Sequence, residues 1–142
     1  MPKFSLEKIV NADRDLVFQI FSNCDNYQKL VPQFFPSIRV RSTRGSVSVA
    51  EEHLILGDVE LVIMAKHVSQ DPLLHDVFVI GGDAKGSHIK QEFIELENAT
   101  KILVDVDLKF KGKMMLSALF GRHDFKEYYS NILDEFGRIS EN

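Results

Sequence analysis

The residues of this chain that could do chemistry are polar side chains that the strand pattern places among apolar ones. Gly57-Asp58 is a hairpin turn signal, and the residues on both sides of it alternate in polarity. A two-residue turn there predicts that Glu52 and His67 share one face of the hairpin with a set of apolar residues. The apolar members of that face are Ala50, Leu54, Leu56, Val59, Leu61, Ile63 and Ala65.

A second hairpin places a third polar residue in the same kind of setting. Pairing across Asn98-Ala99 predicts an apolar face on which Gln91 is the polar member, while the opposite face is charged. The apolar members are Ile89, Phe93, Ile102, Val104, Val106, Leu108 and Phe110.

Three interpretations of Glu52, His67 and Gln91 stay open at this point. A buried polar group without a partner costs roughly 1–3 kcal/mol, so each side chain needs a reason for its position. Backbone or water can satisfy it, or a bulge can turn it outward. It can anchor the polar end of a ligand in an apolar pocket, or it can take part in catalysis.

Other motifs that carry chemistry are absent from the sequence. The five histidines lack the close paired spacing of a zinc or iron site, and no nucleophile elbow occurs. The segment Gly81–Gly86 is rich in glycine but lacks the Gly-Lys-Ser/Thr ending of a phosphate-binding loop. Cys24 is the only cysteine, which excludes an internal disulfide and favours a reduced core thiol. We predict no metal and no cofactor.

The elements that must position these residues follow a simple order. Lys3 to Val10 alternates like a first strand, and Asn11-Ala12-Asp13 then provides helix-capping side chains. A short amphipathic helix and a further helical turn follow, and Pro32 ends the turn. In the next loop, Phe34 and Phe35 either plug the core or line an entrance.

The remainder of the chain reads as a strand meander followed by one long helix. Turn signals divide residues 38–109 into strands rich in Val, Ile, Leu and Phe, and the period becomes helical after Gly112. We therefore predict a single α+β domain over residues 1–142, with an open antiparallel sheet of six or seven strands against the last helix. The apolar stripe of that helix comprises Met115, Leu119, Phe120, Phe125, Tyr128, Tyr129, Ile132, Leu133 and Phe136.

Composition and charge narrow the classes of function. The 142 residues are 44% hydrophobic and 27% charged, with a formal net charge of -4. Nucleic acid is therefore not expected as the direct main partner, since phosphate binding needs a concentrated basic surface. No apolar run approaches the ~20 residues that cross a bilayer, and the N-terminus lacks a signal peptide pattern, which favours a cytoplasmic protein. Three lysines within Lys109–Lys113 form either a solvated connection or a cationic rim that meets a membrane or partner surface.

Four features together resemble the START-like (SRPBCC) superfamily, and in particular its polyketide cyclases and the coenzyme Q-binding protein and ribosome-association toxin family. They are the opening strand and capped helix from Ile9 to Phe18, the string Tyr27-Gln28-Lys29-Leu30-Val31-Pro32, the strand pair of residues 86–93 and 101–110, and the terminal helix. Their order spans nearly the whole chain.

This resemblance implies a helix-grip fold, in which a curved sheet wraps around the C-terminal helix and a hydrophobic cavity lies between the two. It implies a carrier or chaperone that binds an apolar small molecule such as a quinone, an isoprenoid, a lipid or a polyketide, with transient membrane or ribosome contact. A cyclase or aromatase and a ribosome-associated interaction protein are the alternatives. The candidate ligand-binding residues are Phe34, Phe35, Glu52, Leu54, Leu61, Ile63, His67, Gln91, Phe93, Val104, Val106, Leu108, Met115, Leu119 and Phe120.

Overall fold

The computed structural model describes residues 2–112, 115 and 123–142, and these form seven strands and a set of helices. Three helical segments follow the first strand, and a 16-residue helix ends the chain. In chain order the elements are β1 (Lys3–Val10), α1 (Arg14–Ser22), a 3-10 turn (Cys24–Asn26), α2 (Tyr27–Leu30), β2 (Ser37–Arg44), β3 (Val47–Leu56), β4 (Val59–Gln70), β5 (Leu74–Gly82), β6 (His88–Leu96), β7 (Ala99–Asp107) and α3 (Phe125–Ser140).

The seven strands form one antiparallel sheet in the order β1-β7-β6-β5-β4-β3-β2. Strands β2 to β7 pair with their sequence neighbours, as short connections favour, and β1 returns to pair with β7. Strands β1 and β2 are therefore the two edges of the sheet. The β2–β3 register shifts between Val40 and Ser42, which places a bulge in the β2 edge.

The hairpin registers decide which residues face inward. Leu56 pairs with Val59 and Glu52 pairs with Ile63, as the two-residue turn at Gly57-Asp58 predicts. In the last hairpin Leu96 pairs with Ala99, so the turn lies one residue earlier than the sequence predicts. The difference moves the pairing by two positions, and the predicted faces are therefore unchanged.

The core lies between one face of the sheet and the helices. Asp13 caps α1 by accepting from the Asp15 N–H at 3.2 Å, and the helix then buries Phe18 and Phe21. Both rings pack edge-on against Phe93 of β6, with centroids 5.1 and 5.8 Å away. Helix α3 buries Ile132, Leu133 and Phe136 against the same core.

These observations confirm the predicted α+β helix-grip fold, with short helices after the first strand and a C-terminal helix on an open antiparallel sheet. Met115 is helical, as predicted, but it does not belong to the last helix, because residues 123 and 124 are not helical and α3 begins at Phe125 with Asp124 as its N-cap. Leu119 and Phe120 lie outside the described residues. Among the helices that the structure describes, none has both the length and the apolar character needed to cross a bilayer.

Candidate functional site

A small apolar cavity lies between the sheet and α3 and has a volume of about 50 Å³. Strands β3 to β6 supply most of its wall, and α3 supplies the opposite side. Its described lining residues are Tyr27, Phe35, Glu52, Leu54, Leu56, Leu61, Ile63, His67, His75, Val77, Val79, Ala84, Ser87, Ile89, Gln91, Leu108, Tyr129, Ile132 and Phe136.

One continuous chain of hydrogen bonds runs along the cavity wall. Glu52 Oε2 is 2.6 Å from His67 Nε2, and His67 Nδ1 is 2.9 Å from His75 Nε2. His75 Nδ1 then lies 2.7 Å from Gln91 Oε1, and Gln91 Nε2 donates to the Tyr129 hydroxyl at 3.1 Å. We call these five residues the polar chain. Four of them are almost fully buried, with 1 to 4% of their surface exposed, whereas Tyr129 is partly buried.

Strand pairing explains why these residues meet. Each of the four sheet residues occupies an inward-facing position of a different strand, from β3 to β6. His75 and Gln91 are direct cross-strand partners, and His67 pairs with Val77, two residues from His75. The four side chains therefore form a row across the sheet, and α3 places Tyr129 at its end.

Burial and neighbouring groups move the two histidines in opposite directions. Burial lowers the pKa of His67, but Cys24 and the hydrogen-bonded Glu52 carboxylate outweigh it and raise the pKa to about 10. Burial and the nearby positive charge of His67 lower the pKa of His75 to about 3, despite its hydrogen bond to Gln91. At neutral pH, His67 therefore carries the charge and His75 is neutral.

While His67 is protonated, these charges set the direction of the hydrogen bonds along the polar chain. His75 donates from Nδ1 to Gln91 Oε1, so its Nε2 accepts from His67 Nδ1. The doubly protonated His67 also donates from Nε2 to the Glu52 carboxylate. The polar chain is thus electrically neutral overall, with one ion pair at its far end.

The two cavity tyrosines have different roles. Burial and the Glu52 charge raise the pKa of Tyr27, whose hydroxyl donates to the Phe21 carbonyl at 2.5 Å and whose ring packs edge-on against His67. Burial also raises the pKa of Tyr129, so its hydroxyl stays protonated. Within the described residues, the Tyr129 oxygen accepts from Gln91 while its own hydrogen has no acceptor. That hydrogen is available to a molecule in the cavity.

A cysteine adds a third heteroatom beside the ion pair. The Cys24 sulfur and atoms of Glu52 and His67 lie within 4.8 Å of one another, and all three residues are buried. Two ligands of one tetrahedral zinc, each about 2.0–2.2 Å from the metal, stand more than 3 Å apart. The 2.6 Å separation of Glu52 and His67 is that of a direct hydrogen bond, so this arrangement fits an ion pair better than a metal centre.

The structure brings together many of the predicted site residues and separates others. Those that line the cavity are Phe35, Glu52, Leu54, Leu61, Ile63, His67, Gln91 and Leu108. Phe93, Val104 and Val106 are buried in the core away from it, and Phe34 is partly buried against that core. Met115 is 38% exposed. Leu119 and Phe120 lie outside the described residues.

Sequence reasoning missed His75 and Tyr129 as members of the site. His75 alternates with Val77 and Val79 along β5, and these three side chains are buried. That alternation alone did not mark His75 as inward-facing, because Phe78 and Ile80 on the other face of β5 are apolar as well. Tyr129 belongs to the apolar stripe predicted for the last helix, but its hydroxyl gives no pattern along the sequence.

Comparisons with known proteins agree with this fold. The model of the family described as polyketide cyclase / dehydrase and lipid transport matches residues 10–136. No curated protein matches the chain.

Several solved structures share the fold at low sequence identity. A protein from Thermus thermophilus superposes with a TM-score of 0.81 at 11% identity, over 96% of this chain and 95% of that one. A START superfamily protein from Mycobacterium smegmatis gives 0.75 at 14%, over 96% and 98%. The Zhui aromatase/cyclase from Streptomyces sp. R1128 gives 0.73 at 12%, over 99% and 93%. At these identities the likeness is one of fold.

Proposed function

The chain belongs to the polyketide cyclase / dehydrase and lipid transport family of the START-like superfamily, and from this premise we propose that it binds an apolar small molecule in the cavity beneath α3. A single observation carries the proposal. The described part of the cavity wall is apolar except for Ser87, Tyr27 and the polar chain, and the polar chain ends in the Tyr129 hydroxyl, whose hydrogen has no acceptor among the described residues. An apolar enclosure with a few convergent polar groups is the usual form of a small-molecule site.

The charges of the wall indicate which polar end the ligand carries. The described lining contains no lysine or arginine, and the positive charge of His67 is already paired with Glu52. A carboxylate or phosphate would therefore be buried without a partner, at a high cost in free energy. A neutral end such as a ketone, quinone carbonyl or ester fits the Tyr129 hydroxyl. Quinones, isoprenoids, neutral lipids and polyketides are the candidate classes.

The cavity must enlarge to hold such a molecule. Its volume of about 50 Å³ has room for a few waters, whereas small-molecule sites occupy ~300–1,000 Å³. We expect the lining side chains to move apart on binding. Burial of apolar surface then supplies most of the affinity, at about 25 cal/mol per Å².

Native mass spectrometry of the protein purified from its own host tests the proposal directly. We expect a co-purifying neutral apolar molecule that denaturation releases. A protein found empty in repeated preparations, and unaffected by added quinones, isoprenoids or neutral lipids in chemical-shift titrations, would contradict the proposal.

A matched pair of variants locates the site. Ile63→Phe adds bulk at a lining position that is 5% exposed, whereas Val62→Phe adds the same kind of ring on the outer face, where the residue is 60% exposed. We expect the first variant to lose ligand and the second to retain it, with both folded by circular dichroism. Equal retention by both variants would place the ligand elsewhere.

One observation favours a second candidate, an enzyme of the cyclase or aromatase type. The Glu52–His67 pair holds a proton inside an apolar cavity, which is a suitable setting for proton transfer to a substrate carbonyl. Glu52→Gln should then abolish turnover of an aromatic polyketide precursor while ligand binding persists. Unchanged turnover would remove this assignment.

A further inference from the structure

We propose that the Gln91 amide sets whether the cavity receives a hydrogen-bond acceptor or a hydrogen-bond donor, because the whole polar chain can run in either direction. The inference deepens the proposed function and rests on it. The two directions differ in the atom offered to the ligand and in one proton held by the protein.

In the first direction, which the structure shows, the polar chain offers a hydrogen to the cavity. His75 donates to Gln91 Oε1, and Gln91 Nε2 donates to the Tyr129 oxygen. The Tyr129 O–H then points its donor at whatever occupies the cavity. A ligand with a carbonyl oxygen, which is an acceptor only, completes the chain.

In the second direction, the amide of Gln91 is turned end for end with its heavy atoms in the same places. Gln91 Nε2 now donates to His75 Nδ1, and Gln91 Oε1 accepts from the Tyr129 O–H. His75 must then donate from Nε2 to His67 Nδ1. The Tyr129 oxygen is left with a lone pair for the ligand, so a donor-only group such as an N–H completes the chain.

The proton count follows from the far end of the chain. When His67 Nδ1 becomes an acceptor, only Nε2 keeps its proton, and this proton must remain because it lies between His67 and the Glu52 carboxylate at 2.6 Å. His67 therefore passes from imidazolium to neutral imidazole, and one proton leaves to solvent. The net charge of the polar chain changes from zero to minus one.

The proton balance makes the choice of ligand depend on pH. Acceptor ligands match the protonated chain, and donor ligands match the chain that has lost a proton. Below the pKa of His67, about 10, a donor ligand must displace that proton, so its affinity rises about tenfold per pH unit. The affinity of an acceptor ligand stays level in the same range. Other ionisable groups around His67 come from every neighbouring element: Cys24 in the 3-10 turn, Tyr27 in α2, Glu52 in β3, His75 in β5 and Tyr129 in α3.

The first test needs no ligand. Long-range nitrogen-15 spectra of the histidines report which ring nitrogen holds each proton. We expect His75 to carry its proton on Nδ1 at neutral pH and to move it to Nε2 as His67 loses its charge at higher pH. His88, which pairs with Asp76 at 2.8 Å outside the polar chain, is the internal comparison. A His75 proton that stays on Nδ1 while His67 titrates would overturn the inference.

The second test compares three small probes of one shape by isothermal titration calorimetry in buffers of different ionisation enthalpy. They are 1-indanone, an acceptor only; indole, a donor only; and indene, which is neither. We expect indole binding to release up to one proton and to tighten about tenfold per pH unit, while 1-indanone and indene release none. Indole binding without proton release and without pH dependence would contradict the inference.

Variants assign the effect to the amide. Gln91→Met keeps the length of the side chain but removes the reversible link, so indole and 1-indanone should lose their difference in pH dependence. Gln70→Met, at the exposed end of β4, should retain it. If Gln91→Met binds all three probes and indole and 1-indanone still differ in the pH dependence of their binding, the assignment of the effect to the Gln91 amide is wrong. Failure of native ligands to bind at all would instead refute the proposed function, while the histidine spectra would still decide the inference.

Discussion

Folding shifts the pKa values of His67 and His75 in opposite directions from the ordinary value of 6.5 that both have in the unfolded chain. The folded state raises the pKa of His67 to about 10, so its stabilising contribution is complete below 6.5 and is lost as the pH rises toward 10. The folded state lowers the pKa of His75 to about 3, so its contribution is present above 6.5 and is lost as the pH falls.

We therefore expect the free energy of unfolding, measured by urea denaturation, to be greatest near pH 6.5 and to fall on both sides by ~1–4 kcal/mol. His67→Gln should flatten the alkaline side. His53→Gln, on the opposite face of the β3–β4 hairpin, should leave both sides as they are. A stability that does not change between pH 6.5 and 10 would show that His67 does not keep its proton.

The Tyr129 hydroxyl should contribute to the binding of ligands that have a carbonyl group and not to the binding of purely apolar ligands. Tyr129→Phe removes the donor that a ligand carbonyl would meet, and we expect 1-indanone to bind about 2- to 13-fold more weakly, in line with ~0.5–1.5 kcal/mol for one hydrogen bond. Indene should bind equally well to both proteins, since it makes no hydrogen bond. Tyr128→Phe on the same helix is the control, and a loss of equal size there would exclude Tyr129 as the anchor.

At the scale of the elements, the β3–β4 turn and α3 meet at one glycine. Gly57 has a φ of +68°, and a Cβ there would overlap the Tyr128 ring. Gly45, in the β2–β3 turn, has a φ of +58° and nothing within 4 Å of such a Cβ. The two glycines therefore share the backbone requirement but differ in packing.

Alanine substitutions at Gly45 and Gly57 should differ in their effect on the free energy of unfolding. Gly45→Ala is expected to lower the free energy of unfolding by about 1–2 kcal/mol through backbone strain alone. Gly57→Ala should cost ~1–3 kcal/mol more, because the ring or the helix must move. In a Tyr128→Ala background the extra cost should disappear in thermal unfolding. Equal effects of the two substitutions in the presence of Tyr128 would mean that α3 yields freely at this contact.

The elements also show what sequence patterns can and cannot reveal. The β3–β4 register followed from one turn signal and clean alternation, and it placed Glu52 and His67 on the inner face. The pattern of β5 did not identify His75 as inward-facing, because Phe78 and Ile80 on the outer face of that strand are apolar although they are 39% and 45% exposed. With apolar residues on both faces, alternation does not distinguish inside from outside.

The polar chain itself was beyond sequence reasoning for a different reason. The polar chain requires β3, β4, β5 and β6 to lie side by side in the sheet, and it requires Tyr129 of α3 to pack at the end of the row. Glu52, His67 and Gln91 were predicted singly, each as a polar exception. Their connection through His75 depends on contacts between strands, which no spacing along one strand records.

At the scale of the whole molecule, ligand binding should be measurable as stability. A ligand that binds only the folded protein, present at 100 times its dissociation constant, adds about 2.7 kcal/mol to the free energy of unfolding. We expect the midpoint of chemical denaturation to rise with the concentration of a neutral apolar ligand, and Ile63→Phe to abolish the rise. A midpoint that stays constant while binding is detected would indicate attachment to the unfolded chain or to both states.

The bulged outer strand β2 affects how the molecules behave when they are crowded together. The unpaired backbone groups of a sheet edge can pair with a strand of another molecule, and this pairing is favoured when the edge is flat and apolar. Here the bulge between Val40 and Ser42 twists the edge, and the exposed Arg39 and Arg44 place positive charge along it, while Arg41 is paired with Glu51 of β3. Two copies that approach edge to edge would repel each other and fail to align. We therefore expect the β2 edge to resist aggregation with other copies.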